Sequence, residues 1–467
     1  MIVEQLYTNC LSEAVYFIAS DGEAAVIDPL RDVDVYVKKA EELGVKIKYI
    51  FETHFHADFV SGHLELAKQT GAPIVYGPQT DAKFKFHLAE DGEEFSIGKL
   101  KIKVLHTPGH TLESTCYLLF DEEGKEHAVF TGDTLFVGDV GRPDLFSGNM
   151  TKEELASMMY DSLNNKIKTL QDSTIVYPAH GAGSSCGKNL GKETFSTIGT
   201  QKEANYALQE MTREEFIAAI TEGLSTPPAY FPINAKINKE GYSAMDEVMS
   251  TAMQPLSVEA FKEKVQNGVW ILDTRKATEF TQEFVPQSLS IGLEGRFAEW
   301  AGSLLPFEQP LVLVTEQGKE EETVTRLARV GFENVQGYLD GGVEAWKSAG
   351  EPVDMIIDVE PDELAMDIPH DNNLTVLDVR KETEYEACHV QGAQNAPLDR
   401  LMDPMEVALI DDERNIYVHC AGGYRSVIAA SILKKHGYHS LRNILGGFGK
   451  MKDQKGLKIV KPQNAGA

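Results

Sequence analysis

The first part of the chain alternates short apolar runs with longer amphipathic ones. AAVIDP (24–29) is an apolar run closed by Asp-Pro, which predicts a buried strand and a turn. VDVYVKKAEELG (33–44) predicts a helix stopped by Gly44, and LELAKQTG (64–71) predicts another. Between them IKYIFET (47–53) predicts a strand that runs straight into THFHADF (53–59). KIKVLHTPGHT, TCYLLFDEEG and HAVFTGDTLF continue as strand-plus-loop units to residue 136. Ligand-type side chains thus fall at the ends of apolar strands, where loops vary on a rigid sheet and α/β enzymes gather their chemistry.

Residues 224–256 carry prolines and little periodicity. Tyr230, Phe231 and Ile233 make this stretch a packed linker, set at 231–255. An internal repeat of about 105 residues follows. VWILDTRKATEF (269–280) parallels LTVLDVRKETEY (374–385), PLVLVTEQGKEEETV (310–324) parallels NIYVHCAGGYRSVIA (415–429), and GYLDGGVEAW (337–346) parallels RNILGGFGKM (442–451). A period this long means duplicated domains. The expected plan is α/β and multi-domain: 1–230, the linker, then copies at 256–352 and 358–460.

Composition narrows the partners. The 467 residues include 72 acidic and 44 basic ones, a formal net charge of -28. That disfavours nucleic acid and anionic membrane, and makes local cations necessary for an anionic substrate. The five cysteines are few and unclustered, as expected in a reducing compartment. No run of eighteen apolar residues exists and the start lacks a basic n-region, so a cytoplasmic protein is expected.

Two constellations carry chemistry. His54, His56, Asp58, His110, Asp133 and His180 sit in THFHADF, TPGHT, FTGDTLF and YPAHG, with glycine or proline in most of these loops. Spacing leaves two metal arrangements open. His54, His56 and His110 would make a three-histidine zinc site. His54, His110 and Asp133 would make a two-histidine, one-carboxylate triad suited to Fe(II), with His56, Asp58 and His180 orienting ligands or water. The second constellation is CAGGYRS (420–426), between a predicted strand and helix. Backbone N–H groups and a helix N-terminus there form an anion nest that favours a thiolate or persulfide on Cys420, and Arg425 adds a cation for an anionic acceptor.

The first constellation resembles the metallo-β-lactamase fold, an αββα sandwich in which HxHxDH, a later His, an Asp and a last His hold one or two metals. Phe59 stands where dinuclear members carry the final His of that motif. Residues 358–460 resemble a rhodanese domain through LDVRKETEY, HVQGAQNAPL and the loop CAGGYR, with Cys388 where glycine is common. The middle copy keeps the frame, but its loop reads EQGKEE, with Glu316 expected at the cysteine position. The combination, together with GRPDLFSG (141–148), is similar to the rhodanese-fused persulfide dioxygenases. That resemblance implies one Fe(II) per chain, oxidation by O2 of glutathione or coenzyme A persulfide to sulfite and thiol, and transfer of sulfur through Cys420 to sulfite, giving thiosulfate. It places the chain in sulfide detoxification, as a homo-oligomer. Arg142, Cys186 and Lys188 are candidates for contact with the thiol-bearing substrate. The alternative is a Zn(II)-dependent thioester hydrolase of the glyoxalase II type fused to a sulfurtransferase.

Overall fold

The computed structural model describes residues 1–145, 150–224 and 226–461, so residues 146–148 of GRPDLFSG lie outside the described residues. The chain divides into two compact units, residues 1–245 with 327–332, and residues 246–326 with 333 onward.

Among the described residues, the first unit holds two six-stranded sheets. One runs Ile2–Thr8, Glu13–Ser20, Glu23–Ile27, Lys46–Phe51, Ile74–Tyr76, His87–Leu88 in chain order. The other runs from Ser196–Thr197 through Ile175–Pro178, Glu126–Gly132, Thr115–Phe120 and Leu100–His106 to Glu94–Ile97. Tyr16, Ile18, Ile27 and Phe51 from the first sheet bury against Ile97, Ile102, Val104, Tyr117 and Phe130 from the second. The outer face of the second sheet is covered in turn: Leu118, Val129 and Val176 pack with Met159 of helix Lys152–Ser162 and Phe216 of helix Arg213–Thr221. This is the αββα sandwich that the resemblance to the metallo-β-lactamase fold implies. The helix after Val33 ends on left-handed Gly44, as its sequence predicts.

The stretch 231–255, expected as a packed linker, includes two helices, Phe231–Glu240 and Met245–Ala252, and the first unit runs on to residue 245. Pro232 sits in the first turn of Phe231–Glu240, where its missing N–H costs nothing.

The second unit contains the repeat. Each copy builds a five-stranded sheet of the same order: Pro255–Leu256, Val335–Leu339, Leu311–Val314, Trp270–Asp273, Leu289–Ser290 in one, and Ile357–Val359, Leu441–Ile444, Asn415–His419, Leu374–Asp378, Gln394–Asn395 in the other. Every pairing in both is parallel. Both faces of such a sheet are covered, which is why LVLV is apolar without alternation. An Asp–Arg pair recurs after the same strand: Arg275 grips Asp273 and donates to the Glu283 carbonyl, and Arg380 grips Asp378 and donates to the Cys388 carbonyl.

Strand register corrects one expectation. Asp273 pairs with Val314, and Asp378 pairs with His419. The next residue is Thr315 in one copy and Cys420 in the other, so Thr315, not Glu316, holds the cysteine position. The carboxylate lies one residue further along.

Candidate metal centre and sulfur-transfer loop

The loop after Lys46–Phe51 carries His54, and the end of Glu126–Gly132 leads into Asp133. His54, His110 and Asp133 offer ligand atoms that all lie within 4.8 Å of one another, and all three are buried. Asp133 Oδ2 lies 3.9 Å from His54 Nε2 and 3.4 Å from His110 Nε2.

Neighbours fix both rings. Thr53 Oγ1 donates to Asp28 Oδ2 at 2.8 Å, so it is left to accept from His54 Nδ1–H at 2.9 Å. His110 Nδ1–H donates to the Arg142 carbonyl at 2.8 Å. Each Nε2 is thereby the unprotonated, ligating end, the usual outer support of a metal-binding imidazole. Gly141 is obligatory beside them: a Cβ there would collide with the Asp133 carbonyl and stand 3.0 Å from His110 Nδ1. Burial, then the neighbouring imidazoles, pushes the His54 pKa well down, so the ring is neutral and free to bind a cation. Both oxygens of Asp133 are buried without a hydrogen-bond partner. A carboxylate in that state is costly unless a cation offsets it, and the donor set fits a metal ion.

His56 belongs to a different group. Its Nε2 lies 3.1 Å from Asp28 Oδ1 and 3.5 Å from Glu52 Oε2, and its ring lies on Phe59 at 4.3 Å. Burial opposes a proton on His56, but Asp28 and Glu52 outweigh it and raise the pKa well above normal. Its donor atoms group with those of Asp28 and Glu52, apart from the set of His54, His110 and Asp133. Of the two arrangements left open by spacing, the convergent one is His54, His110 and Asp133. Phe59 fills the space beside His56 with a side chain that offers no donor.

Asp58 and His180 lie on the far side of Asp133. His180 Nε2 is 3.4 Å from Asp58 Oδ2 and 3.4 Å from Asp133 Oδ1. Cys186 reaches this group and is buried, its thiol pKa pushed well up by burial and then by Asp58 and Asp133. Arg142 and Lys188 are engaged elsewhere. Arg142 forms a two-pronged pair with Asp144 at 2.6 and 2.8 Å and reaches the Ser185 carbonyl, while Lys188 caps the Ala219 and Glu222 carbonyls at the end of Arg213–Thr221.

Sequence reading missed Asp28, Glu52, Glu13 and Asn238. Asn238 takes Ser61 N–H at 2.9 Å and donates to the His56 and Phe59 carbonyls at 2.8 and 2.7 Å. The histidine loop is thus tied down by a helix outside the expected domain boundary.

In the second unit, Cys420 ends Asn415–His419 and helix Tyr424–Lys435 begins four residues on. Gly423 N–H donates to Cys420 Sγ at 3.1 Å, from a left-handed conformation. Arg425 is bound by Glu384 at 2.7 and 2.9 Å. A chain of polar contacts leads away from the sulfur: Cys420 Sγ to Ser426 Oγ (3.7 Å), Ser426 to Asn443 Oδ1 (2.7 Å), Asn443 Nδ2 to Asp358 (2.8 Å), and Thr281 Oγ1 to Asp358 (2.7 Å). Thr281 belongs to the middle copy. That copy also accepts the Tyr424 hydroxyl on Gly292 O at 2.7 Å, and a cavity of about 290 Å³ opens between Lys276, Thr278 and the loop residues Gly422 and Gly423.

The Metallo-beta-lactamase superfamily model matches residues 8–180, and the Rhodanese-like domain model matches residues 257–349 and 360–454. A metallo-beta-lactamase structure from Staphylococcus aureus is 31% identical, with a TM-score of 0.64 over 73% of this chain and 98% of its own. The structure of ETHE1 from Myxococcus xanthus is 34% identical over 51% of this chain and 100% of its own, with a TM-score of 0.44. A probable hydroxyacylglutathione hydrolase of Schizosaccharomyces pombe is 36% identical over 34% of this chain, which spans 59% of that relative's length. The chain belongs to the metallo-beta-lactamase superfamily, with two rhodanese-like domains following the metal-binding unit.

Proposed function

We propose that the first unit oxidises a low-molecular-weight persulfide with O2 at a single Fe(II), and that Cys420 transfers sulfane sulfur to the sulfite so formed. The observation that carries this reading is the donor set. His54, His110 and Asp133 converge, while His56 is turned onto Asp28 and Glu52 and Phe59 supplies no donor. Two imidazoles and one carboxylate leave coordination positions free for two reactants. Fe(II), when bound, would supply the electron exchange that O2 needs. The chain's own residues do the rest. Asp28 and Thr53 hold His54, and the Arg142 carbonyl holds His110. In balance, R–S–SH, O2 and water give R–SH and sulfurous acid, which ionises to sulfite.

At the second site Cys420 attacks the outer sulfur of a second R–S–SH and releases R–SH. Sulfite then attacks the cysteine persulfide, giving thiosulfate and regenerating the thiolate. The Gly423 N–H stabilises sulfur charge throughout.

A thioester hydrolase is the second reading. It is favoured by the hydroxyacylglutathione hydrolase relative and by the position of Asp133 between two donor groups. The separating experiment measures O2 uptake by anaerobically Fe(II)-loaded protein given glutathione persulfide, with sulfite and thiosulfate quantified together. Uptake, with sulfite accumulating in place of thiosulfate in Cys420→Ser, supports the proposal. No uptake with glutathione or coenzyme A persulfide, together with tight zinc and thioester hydrolysis, replaces it with the hydrolase.

A further inference from the structure

Residues 327–332 lie by sequence within the copy at 256–352, yet they belong to the compact unit that carries the metal residues. They are the last two residues of helix Glu320–Ala328 and the four that follow. Leu327, Ala328, Val330 and Phe332 are buried, so the segment is packed in place. Arg329 joins it to two loops of the metal site. Its carbonyl accepts the Val60 N–H at 2.7 Å, inside the histidine loop and next to Phe59. Its guanidinium forms a two-pronged pair with Asp32 at 2.9 and 2.7 Å. Asp32 stands in the segment 28–33 that also carries Asp28, the carboxylate holding Thr53 and through it His54. That segment meets the histidine loop directly: Leu30 bridges Ser61, and the Pro29 carbonyl accepts the Gly62 N–H at 2.6 Å and the Ser61 hydroxyl at 3.0 Å. A Cβ on Gly62 would stand 2.1 Å from the Leu30 carbonyl oxygen, so only glycine lets the two loops lie this close. Arg31 adds a contact to the Ala328 carbonyl at 3.4 Å.

Arg329 therefore spans both loops, its carbonyl on one and its side chain on the other. The main-chain bond sets where Val60 lies. The planar fork on a carboxylate sets where the Arg329 backbone lies. The Arg329 side chain is 14% exposed and that of Asp32 36%, so water screens the pair only in part. We propose that Arg329 is a positioning residue of the metal site. It holds the segment 28–33 and the histidine loop in register, so that Asp28 and Thr53 stay on His54 and Phe59 stays against His56. The copy without a loop cysteine thereby supplies part of the metal-binding unit, a use that sulfur transfer does not require. The inference goes beyond the reaction proposed for the first unit and does not depend on it.

The test uses the full-length protein and two readings. The first is release of Zn(II), loaded as the probe ion, to a chromogenic chelator. The second is hydrogen exchange of the metal-free protein on the peptide 53–62, with the strand Leu100–His106 as control. In Arg329→Ala, zinc should leave about tenfold faster and exchange in 53–62 should quicken about tenfold, while the control strand keeps its rate. Arg329→Lys keeps one charged contact to Asp32 and should fall between alanine and wild type in both readings. Either reading left at the wild-type value in Arg329→Ala overturns the proposal. So does equal quickening in both peptides, which marks general destabilisation, or an Arg329→Lys no closer to wild type than alanine. If Arg329→Ala does not fold, Asp32→Asn decides by the same two readings, because it removes the charge partner and leaves Arg329 in place. Neither reading involves O2 or a persulfide, so failure here leaves the dioxygenase test untouched, and the reverse holds.

Discussion

Replacing Asn238 by alanine deletes a clamp. Its amide makes three hydrogen bonds to the backbone of the histidine loop, to Ser61 N–H and to the carbonyls of His56 and Phe59. At about 1 kcal/mol per bond the loop loses roughly 3 kcal/mol against local opening, and more where the stranded groups find no water. At 1.4 kcal/mol per decade, opening rises on the order of 10²-fold. Asn238 is itself fully buried, so the side chain has no solvent-exposed role to confuse the result. Hydrogen exchange read by mass spectrometry on peptides spanning 53–62 measures the effect directly, and metal dissociation should accelerate with it. The peptide covering Phe231–Glu240 serves as control, because the helix keeps its own hydrogen bonds. Exchange in 53–62 that stays at the wild-type rate would refute the claim that this helix holds the loop.

Arg142→Ala should weaken metal binding about tenfold in a chelator competition, because the Arg142 carbonyl orients His110 and its guanidinium holds that backbone to Asp144 and Ser185. An effect confined to the KM for persulfide would restore the substrate-binding role expected from sequence. Burial holds the Cys116 thiol at about 11. The unfolded thiol ionises first, near its ordinary pKa of ~8.5. Stability contributed by Cys116 is therefore lost as pH rises from there toward 11, and Cys116→Ala should flatten the alkaline fall seen in urea unfolding.

The strands, the helices at 34–43 and 63–70, and the six metal-type residues were legible because periodicity and strand-end position are local signals. The carboxylates around His56 were not. Asp28 reads as half of an Asp-Pro turn and Glu52 as a polar residue ending a strand, and only the packing of two sheets brings them to one imidazole. Asn238 was hidden for a similar reason: prolines upstream suggested a linker, and its partners lie about 180 residues away. The placement of Glu316 was out by one residue: the ungapped pairing of 310–324 with 415–429 already sets Thr315 opposite Cys420, and the strand register agrees. What Arg142 and Lys188 hold within the chain, Asp144 and the Ala219 carbonyl, is likewise set by packing and not by their charge in the sequence.

The contacts between the two copies make the flank of 256–352 part of the framework around Cys420. Thr281 Oγ1 donates to Asp358, Gly292 O accepts from the Tyr424 hydroxyl and the Ser290 N–H donates to Ser431. A polar group left without its partner in a buried setting is costly, so neither copy can be cut away without stranding atoms of the other. The repeat is thus double in sequence and single in its hydrogen bonding: a substitution at Thr281 is felt along the path through Asp358 and Asn443 to Ser426.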